Sequence, residues 1–540
     1  MHGLLLVLGS ALFVGVSLLS QRTFDRIKHW RESPKPVTSA QAARGRALRT
    51  HAVMDVAPVP PPSALPLVER PGNDDFGYPK SYVDGPGLRS LLHYGRYAEL
   101  TQYFEEFQRA FEEDPKKEIW PVRAAETFGS AEPQLLPKLE AWAKATPDSF
   151  APYLALGAHW TAVMLARRGS NFASETPKED FAAMADAAKV ARRNLTQALI
   201  NRPKVLAAHR LMMSMALLNG QRALRDESLK RANLICPACF MARLTYMTGL
   251  EPRWGGTFDA MATFAKAAPV AANPRLKLLA GYVDSERADV ARTAKQYDDA
   301  LKAANAACAL GPNADFLETR AYVWEALQDL THARQDLDLA VELRPEVPGI
   351  RLARANLLVQ TKDWERAAQD LIAVMRVEPT AYGARWAVAQ TSTGLDRDGW
   401  AAHLRGEHEQ AVKLLGLAEA LVPFDQNVRA HRASAVRDGV TGTPEELDRL
   451  EARIKAEPDS FSAHQALDYA LARQQNYPRV LEMWTEYLSR HPDDGNAYFE
   501  RSGAYFNSKH LPEANLDLNR ACDLGVSQAC AYLEHLRPSK

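Results

Sequence analysis

The sequence has no net charge and lacks the short motifs that mark common catalytic sites. Lys plus Arg number 66 and Asp plus Glu number 66, so no basic excess favours nucleic acid as a partner. No GxxxxGK[ST] phosphate loop, GxGxxG turn or HExxH zinc motif occurs, and no Ser lies in a nucleophile elbow. From these absences we predict a protein that is not an enzyme and holds no cofactor and no metal.

Cysteine is scarce, with five residues in 540. Cys236 and Cys239 form a CPAC sequence, but a thioredoxin-like motif needs a βαβ context and the surrounding pattern is helical. A structural zinc site needs two more ligands at suitable spacing, which this stretch lacks. We therefore expect both cysteines to pack between helices as ordinary side chains.

Charged residues are absent from the first apolar segment, residues 3–19. A helix of this length spans roughly 26 Å, close to the thickness of the hydrocarbon core of a bilayer. No Lys or Arg precedes the segment and no small-x-small cleavage site follows it, which argues against a cleaved signal peptide. We predict a single transmembrane anchor over residues 1–20, with a signal peptide as the alternative.

The segment after this anchor is rich in basic residues. Eight Lys and Arg lie between residues 22 and 49, and only Asp25 and Glu32 oppose them. By the positive-inside rule, this bias places the C-terminal side in the cytoplasm. Contact with anionic lipid head groups is a second interpretation of the same charges, and a periplasmic soluble part is the alternative topology.

Residues 21–86 have the composition of a linker. Five prolines lie within residues 57–66 (APVPPPSALP), which suits an extended, stiff spacer. Gly and Pro interrupt the pattern up to Gly87, and no core-forming periodicity is visible. We predict a basic and then proline-rich linker that ends at residue 86.

From Leu88 onward the hydrophobic pattern is helical, and residues 88–111 read as two amphipathic helices joined at Gly95 and Arg96. Prolines then recur every 33 to 35 residues, from Pro203 to Pro237, Pro312 to Pro345, Pro345 to Pro379, Pro423 to Pro458, and Pro458 to Pro492. A proline ends a helix because it lacks an N–H group and clashes with the preceding turn. The period matches one helix–turn–helix unit, so we predict an all-α solenoid.

Small and charged residues recur in the same register. Ala321 and Ala333 are followed 34 residues later by Ala355 and Ala367, as expected where paired helices approach closely. Three units also carry an Arg before the small position and an Asp in the second helix: Arg320 and Asp336, Arg354 and Asp370, Arg501 and Asp517. We predict an Arg–Asp ion pair between the helices of these units, worth little if it is exposed.

These features resemble tetratricopeptide repeats, most clearly over residues 312–379 and 458–526. The resemblance implies a right-handed superhelix whose first helices line a groove for an extended or helical peptide. The inner positions that it implies are Asp315, Glu318, Tyr322, Glu325, Asn356 and Gln360. The Lys and Arg set that grips a C-terminal carboxylate in chaperone-binding members is absent, so we do not predict recognition of chaperone tails. The acidic residues with Tyr322 would suit a basic or polar peptide, and side chains that are merely solvated are the alternative.

Residues 88–270 resemble a bacterial domain of unknown function, on the stretches GRYAEL, NFASETPKEDFAAM and EPRWGGTFDAM. The resemblance implies a bacterial protein, and thus an inner-membrane anchor, but no assigned activity. We therefore separate a helical domain over residues 87–270 from a repeat array over residues 271–540. Trp254-Gly255-Gly256 in the first region predicts a sharp turn, with a ligand-contact loop as the alternative.

The C-terminal stretch ACDLGVSQACAYLEHL (521–536) resembles a Sel1-type repeat. In the cysteine-rich secreted members, a Cys late in one helix bonds a Cys in the next with seven residues between them. Cys522 and Cys530 match that spacing, so the resemblance implies a disulfide, which needs an oxidising compartment. Two small buried thiols are the alternative.

His403 and His408, with Glu407 between them, come closest to a metal cluster. On a single helix their i, i+5 spacing would put the two rings on different faces, so we expect solvated side chains and no metal site.

Three functions remain open at this point. The first is a membrane-anchored scaffold that binds a protein or peptide partner through the concave face of the solenoid. The second is a periplasmic immunity or envelope-maintenance factor, suggested by the Sel1-like tail. The third is an enzyme of unknown class within residues 87–270, whose only support is the unassigned status of the domain that it resembles.

Overall fold

The computed structural model of the chain describes residues 67–168, 177–377, 383–440 and 442–536. The predicted anchor at residues 3–19 and the linker before residue 67 lie outside these ranges. In the part of the chain that is described, no helix is long and apolar enough to cross a membrane. The anchor at residues 3–19 therefore stays a prediction.

Two short strands precede a long series of helices. β1 (Leu67–Val68) pairs antiparallel with β2 (Tyr82–Val83), with Leu67 opposite Val83. The helices up to residue 377 are α1 (Gly85–His93), α2 (Tyr97–Glu113), α3 (Ile119–Glu126), α4 (Leu135–Ala145), α5 (Ala151–Arg168), α6 (Lys178–Asn201), α7 (Leu206–Leu218), α8 (Arg222–Ile235), α9 (Phe240–Thr248), α10 (Phe258–Lys266), α11 (Leu278–Thr293), α12 (Tyr297–Cys308), α13 (Ala314–Ala326), α14 (Leu330–Leu343), α15 (Pro348–Gln360) and α16 (Trp364–Val377). The later helices are α17 (Ala384–Leu404), α18 (His408–Leu421), α19 (Gln426–Gly439), α20 (Pro444–Ala456), α21 (Phe461–Arg473), α22 (Tyr477–Arg490), α23 (Gly495–Asn507), α24 (Leu511–Asp523) and α25 (Ser527–Leu536).

The chain divides into two compact units, unit 1 (Met1–Ala387) and unit 2 (Val388–Lys540). This division differs from the boundary at residue 270 that we drew from the sequence. Phe316 of α13 and Leu279 of α11 lie in the same hydrophobic core as Phe104 of α2. Stacked helical repeats share their cores with their neighbours, so a change in repeat pattern need not mark a domain boundary.

Within the described ranges, nine hairpins close through the same turn. In each, one turn residue has a positive φ, and the next residue donates its N–H to the carbonyl five positions earlier. This is the Schellman arrangement, which satisfies the free carbonyls at the end of a helix. The positive-φ residues are Gly95, Gly220, Lys295, Gln328, Lys362, Gly406, Gln475, Lys509 and Gly525. The predicted joint between α1 and α2 at Gly95 and Arg96 is thus confirmed.

The three predicted Arg–Asp ion pairs form, each between the first and second helix of one hairpin. The three aspartates are almost fully buried, with exposed fractions of 6% for Asp336, 0% for Asp370 and 6% for Asp517. Breaking a buried ion pair on one side leaves a charge without a partner, which costs far more than losing a surface pair. Loss of one partner of these pairs should therefore destabilise a hairpin more than loss of a surface pair would.

Residues 67–86 pack against the first helices, which corrects the predicted end of the linker. Tyr78 is 3% exposed, and its hydroxyl donates to Oε1 of Glu118 at 3.0 Å. The buried Glu118 carboxylate also accepts the N–H groups of Phe240 and Met241 at 2.7 and 2.9 Å. These are the first N–H groups of α9, where a negative charge is favoured. A stretch that is rich in glycine and proline thus contributes to the core of unit 1.

The two CxxC cysteines form a disulfide, contrary to our expectation of ordinary packing. Cys236 directly follows α8 and Cys239 directly precedes α9, and their Cα atoms are 5.4 Å apart. The short turn between two helices brings the thiols together, a geometry that the helical pattern alone did not reveal. Cys522 of α24 and Cys530 of α25 are also joined by a disulfide.

The Trp254-Gly255-Gly256 stretch forms a sharp turn. Gly255 has φ +80°, a conformation that side chains with a Cβ rarely adopt. A Cβ on Gly256 would lie 2.0 Å from the carbonyl oxygen of Leu250, so only glycine fits there. Both glycines are explained by the backbone path, and the ligand-contact alternative gains no support from it.

Candidate functional site

The partner-binding residues that the sequence predicts lie on neighbouring first helices of unit 1. Four of them follow α13 at i, i+3, i+7 and i+10, a spacing that keeps them on one face, and two lie on α15. They are Asp315, Glu318, Tyr322 and Glu325 on α13, and Asn356 and Gln360 on α15. Helices α13 and α15 are in contact, so the structure brings all six into one region.

Asp315 connects three helices of this region. Its Oδ2 accepts a hydrogen bond from the hydroxyl of Tyr282 on α11, and its Oδ1 lies 3.7 Å from Nη1 of Arg344 at the end of α14. Burial, and then the charge of Asp315, raise the pKa of Tyr282 well above its ordinary value. The hydroxyl therefore stays protonated and donates to Asp315, which has a structural role in addition to any role in binding.

Burial separates the other predicted residues into two groups. Glu318, Glu325 and Asn356 are only 5%, 7% and 8% exposed, whereas Gln360 is exposed. Tyr322 lies between these extremes and donates its hydroxyl proton to Oε1 of Glu318 at 3.0 Å. A partner on this surface would therefore meet Tyr322 and Gln360 first.

Two further acidic residues on α11 extend this region, and we did not predict them. Glu286 and Asp289 are 6% and 8% exposed. Arg253 forms an ion pair with Glu286, and Arg292 lies 2.8 Å from Asp289. The i, i+3 spacing of these two acids on a first helix is the signal that would have found them.

A cavity of about 220 Å³ lies where the N-terminal residues of unit 1 meet α14–α16. Arg89 donates to the carbonyl of Val377 at 2.7 Å across this contact. Three arginines and three acids line the cavity: Arg123, Arg351, Arg376, Asp84, Glu126 and Glu346. Arg123 pairs with Glu126, and Arg351 lies 3.0 Å from Asp370, so most of these charges neutralise each other. The cavity is part of a structural contact and does not select a ligand charge.

Unit 2 contains a pair of acidic side chains without a basic partner. Oδ2 of Asp468 accepts from Nε1 of Trp484 at 2.7 Å, and Oε1 of Glu500 accepts from Nε2 of Gln465 at 2.6 Å and the hydroxyl of Tyr469 at 3.4 Å. All three donors are neutral. Burial raises the pKa of both carboxyl groups, and the charge of Glu500 raises the pKa of Asp468 further. A cationic group would find an uncompensated acidic site here.

In the described ranges, no three His, Cys, Asp or Glu side chains converge in a way that would hold a metal ion. Cys308 is the one cysteine outside the two disulfides, and burial raises the pKa of its thiol to about 11. Since the thiolate is the nucleophilic form, Cys308 is a poor nucleophile at neutral pH.

His403 and His408 correct one step of the sequence analysis. They do not share a helix, because α17 ends at Leu404 and α18 begins at His408. The turn between these helices brings the two rings together, with 3.2 Å between their Nδ1 atoms. The spacing rule for a single helix therefore gave the wrong geometry.

A family described as a domain of unknown function (DUF4034) matches residues 86–223. This match covers the first part of the region that resembles a bacterial domain of unknown function, and it assigns no activity. No curated protein matches the sequence.

Solved structures similar to this chain include two that are named for tetratricopeptide repeats and a third, PilF, that is not. The TPR domain of P58(IPK) is 14% identical, with a TM-score of 0.22, and the match covers 81% of this chain and 99% of that one. A tetratricopeptide repeat protein from Parabacteroides merdae is 14% identical, with a TM-score of 0.21 and coverage of 60% and 96%. PilF of Pseudomonas aeruginosa is 13% identical, with a TM-score of 0.20 and coverage of 52% and 98%.

The described hairpins are tetratricopeptide-like. Their near-34-residue period, their common turn and their interhelical ion pairs carry this conclusion.

Proposed function

We propose that this chain is a membrane-anchored scaffold that binds a protein or peptide partner through the first helices of its repeats. The observation that carries the proposal is the row of acidic and polar side chains along α13 and α15. Tyr322 and Gln360 are accessible to solvent at its edge, and acidic groups lie behind them. Helical repeats commonly use such first-helix surfaces to hold an extended or helical peptide.

A separate acidic pair in unit 2 supports a partner that is basic or polar. In unit 2, Asp468 and Glu500 accept hydrogen bonds only from neutral donors. A Lys or Arg side chain of a partner would give these carboxylates the counter-charge that they lack.

Site-specific photo-crosslinking tests the proposal on the full chain in cells. A photoreactive amino acid at Gln360 on a first helix should capture the partner, whereas the same group at Leu339 on the second helix α14 should not. Leu339 is a matched control because it is 44% exposed and lies in the neighbouring hairpin of unit 1. Equal capture from both positions, or a Gln360 product unaffected by Tyr322→Ala, would contradict a first-helix binding surface.

For the location of the chain, we propose that residues 3–19 anchor it and that the folded part lies in an oxidising compartment. The support is the pair of disulfides, Cys236–Cys239 and Cys522–Cys530, since disulfides persist in the periplasm and are rare in the cytosol. The basic residues after the anchor favour the opposite topology. If the disulfides and not the basic residues indicate the compartment, a periplasmic envelope-maintenance or immunity factor is the second candidate function.

A C-terminal fusion to alkaline phosphatase tests this topology, because that enzyme becomes active only where its own disulfides form. Phosphatase activity, together with a fluorescent-protein fusion that does not fluoresce, would support a folded part in the oxidising compartment. The reverse pattern would place the folded part in the cytoplasm and argue that both cysteine pairs are reduced there.

A further inference from the structure

The turn between α17 and α18 places two imidazole rings side by side. His403 lies three residues before Gly406, whose φ is +80°, and His408 lies two residues after it. The N–H of Glu407 donates to the carbonyl of Ala402 at 3.0 Å and holds the turn in shape. Of the nine described hairpins with this turn, no other has a His at either of these two positions.

The separation of the two rings fits a shared metal ion. The Nδ1 atoms of His403 and His408 are 3.2 Å apart. Two nitrogen ligands at about 2.0–2.1 Å from a tetrahedral zinc ion lie about 3.3–3.4 Å from each other. The two nitrogens, which share a hydrogen bond, are therefore already about as far apart as two ligands of one ion.

Two neighbouring side chains lie close to the His403 ring. Oδ2 of Asp438 on α19 lies 3.6 Å from Nε2 of His403, on the side of the ring opposite Nδ1. The ring of Trp400 lies 4.8 Å from the His403 ring. A carboxylate near the second nitrogen of a histidine favours a proton there and leaves the first nitrogen free to bind a metal.

The backbone of α19 approaches the second histidine closely. A Cβ on Gly439 would lie 2.8 Å from Cβ of His408, so the glycine allows α19 to pack directly against this residue. The side chain of His403 is 10% exposed, whereas His408 is half-buried, so an ion can enter from the solvent side of His408.

We propose that His403 and His408 bind one late first-row transition-metal ion, such as Zn²⁺, through their Nδ1 atoms. The protein supplies two ligands, and water supplies the others, so the site gives modest affinity and is open to a third ligand from a partner. Imidazole nitrogen favours Zn²⁺, Ni²⁺ and Cu²⁺ over Mg²⁺ and Ca²⁺, and Cu²⁺ should bind more tightly than Zn²⁺.

Calorimetric titration of the untagged, detergent-solubilised full chain with Zn²⁺ tests the site, with Mg²⁺ as the ion control. We expect wild type to bind Zn²⁺ with a saturable site that is absent with Mg²⁺. His408→Asn should weaken that binding at least tenfold, and His403→Asn should do the same. Asp438→Asn should weaken it by about tenfold, because the carboxylate orients a ligand without touching the metal.

His510→Asn is the matched control, since His510 is exposed in the equivalent turn between α23 and α24 and has no second histidine beside it. This variant should bind Zn²⁺ as wild type does. His408 is the more accessible of the pair, so its variant should fold even if the substitution of His403 disturbs the turn. Equal Zn²⁺ affinity of wild type and His408→Asn would overturn the proposal, as would saturable wild-type binding of Mg²⁺ at the same site.

Discussion

Arg354 donates two hydrogen bonds to the buried carboxylate of Asp370, from Nε to Oδ2 at 2.7 Å and from Nη2 to Oδ1 at 2.8 Å. Arg501 and Asp517 are joined in the same way, at 2.7 and 2.8 Å. Each pair is sixteen residues apart and connects the first helix of a hairpin to the second. The planar guanidinium matches both carboxylate oxygens, which fixes the angle between the helices as well as their distance.

The hairpin formed by α21 and α22 shows that an apolar pair can replace this ion pair. Leu467 and Met483 stand 34 residues before Arg501 and Asp517, and they are 2% and 7% exposed. Breaking a buried ion pair on one side costs about 3–5 kcal/mol, whereas replacing both partners with apolar side chains is often neutral.

Single and double substitutions of this pair should therefore differ sharply. We expect Asp517→Ala to lower the free energy of unfolding of unit 2 by about 3–5 kcal/mol. The double variant Arg501→Leu, Asp517→Met should recover most of that loss. Urea denaturation followed by circular dichroism measures both. Glu486→Ala, which removes an exposed partner of Arg490, is the control and should have little effect. A double variant as unstable as the single one would show that the apolar pair cannot substitute here.

The positive-φ position of the common turn is where a substitution to glycine should stabilise the fold. Lys362 has φ +59° and Gln475 has φ +57°, whereas Gly406 occupies the same position with φ +80°. This conformation raises the free energy of a residue with a Cβ by roughly 1–2 kcal/mol. For glycine the cost is entropic and smaller, about 0.5–1 kcal/mol. Lys362→Gly and Gln475→Gly should each raise the free energy of unfolding by about 0.5–1 kcal/mol, and Gly406→Ala should lower it.

Thermal unfolding monitored by circular dichroism measures these three changes. Ala452→Gly is the contrasting control, because Ala452 is exposed inside α20 and glycine in a helix interior is destabilising. If both turn substitutions to glycine destabilise the chain, then the lysine and glutamine side chains make contacts that outweigh the backbone cost.

The Asp468–Glu500 pair predicts a pH dependence of stability in unit 2. Because burial raises the pKa of both carboxyl groups, the folded state binds more protons than the unfolded state. Stability is then greatest below the unfolded pKa values of about 4 and falls as pH rises toward the folded values. Glu500→Gln removes one of these charges and keeps an oxygen that accepts from Gln465.

We therefore expect Glu500→Gln to be more stable than wild type at pH 8, by about 1–3 kcal/mol, and close to wild type at pH 4. Denaturation at a series of pH values provides the measurement. Glu486→Gln, on the exposed surface of α22, should show no such difference between pH 4 and pH 8. A stabilisation by Glu500→Gln that is the same at all pH values would argue against titration as its cause.

The disulfides predict the thiol count of the chain. Without a reductant, denatured protein should react with one equivalent of an alkylating reagent, at Cys308, and with five after reduction. In the folded state Cys308 should react slowly at pH 7, because its pKa is raised to about 11. Mass spectrometry of alkylated peptides measures both. Three reactive thiols in the unreduced protein would show that only one of the two disulfides forms.

The sequence located most of what depends on local structure. A near-34-residue proline period predicted the hairpins, and the recurrence of Arg and Asp predicted three ion pairs that the structure confirms. It also named first-helix residues such as Asp315 and Tyr322, whose role in binding stays a prediction. These features were readable because each depends on spacing within one or two helices, where the geometry of the α-helix converts sequence distance directly into position.

By itself, then, the sequence determined an all-α repeat chain with no recognisable catalytic motif. Only the tertiary structure decided that Glu318 and Glu325 are buried, that Cys236 bonds Cys239, and that His403 faces His408. Each of these depends on how a turn redirects the chain or on which neighbouring helix covers a face. A helical pattern fixes the face on which a side chain lies, whereas turns and long-range packing decide what that face meets.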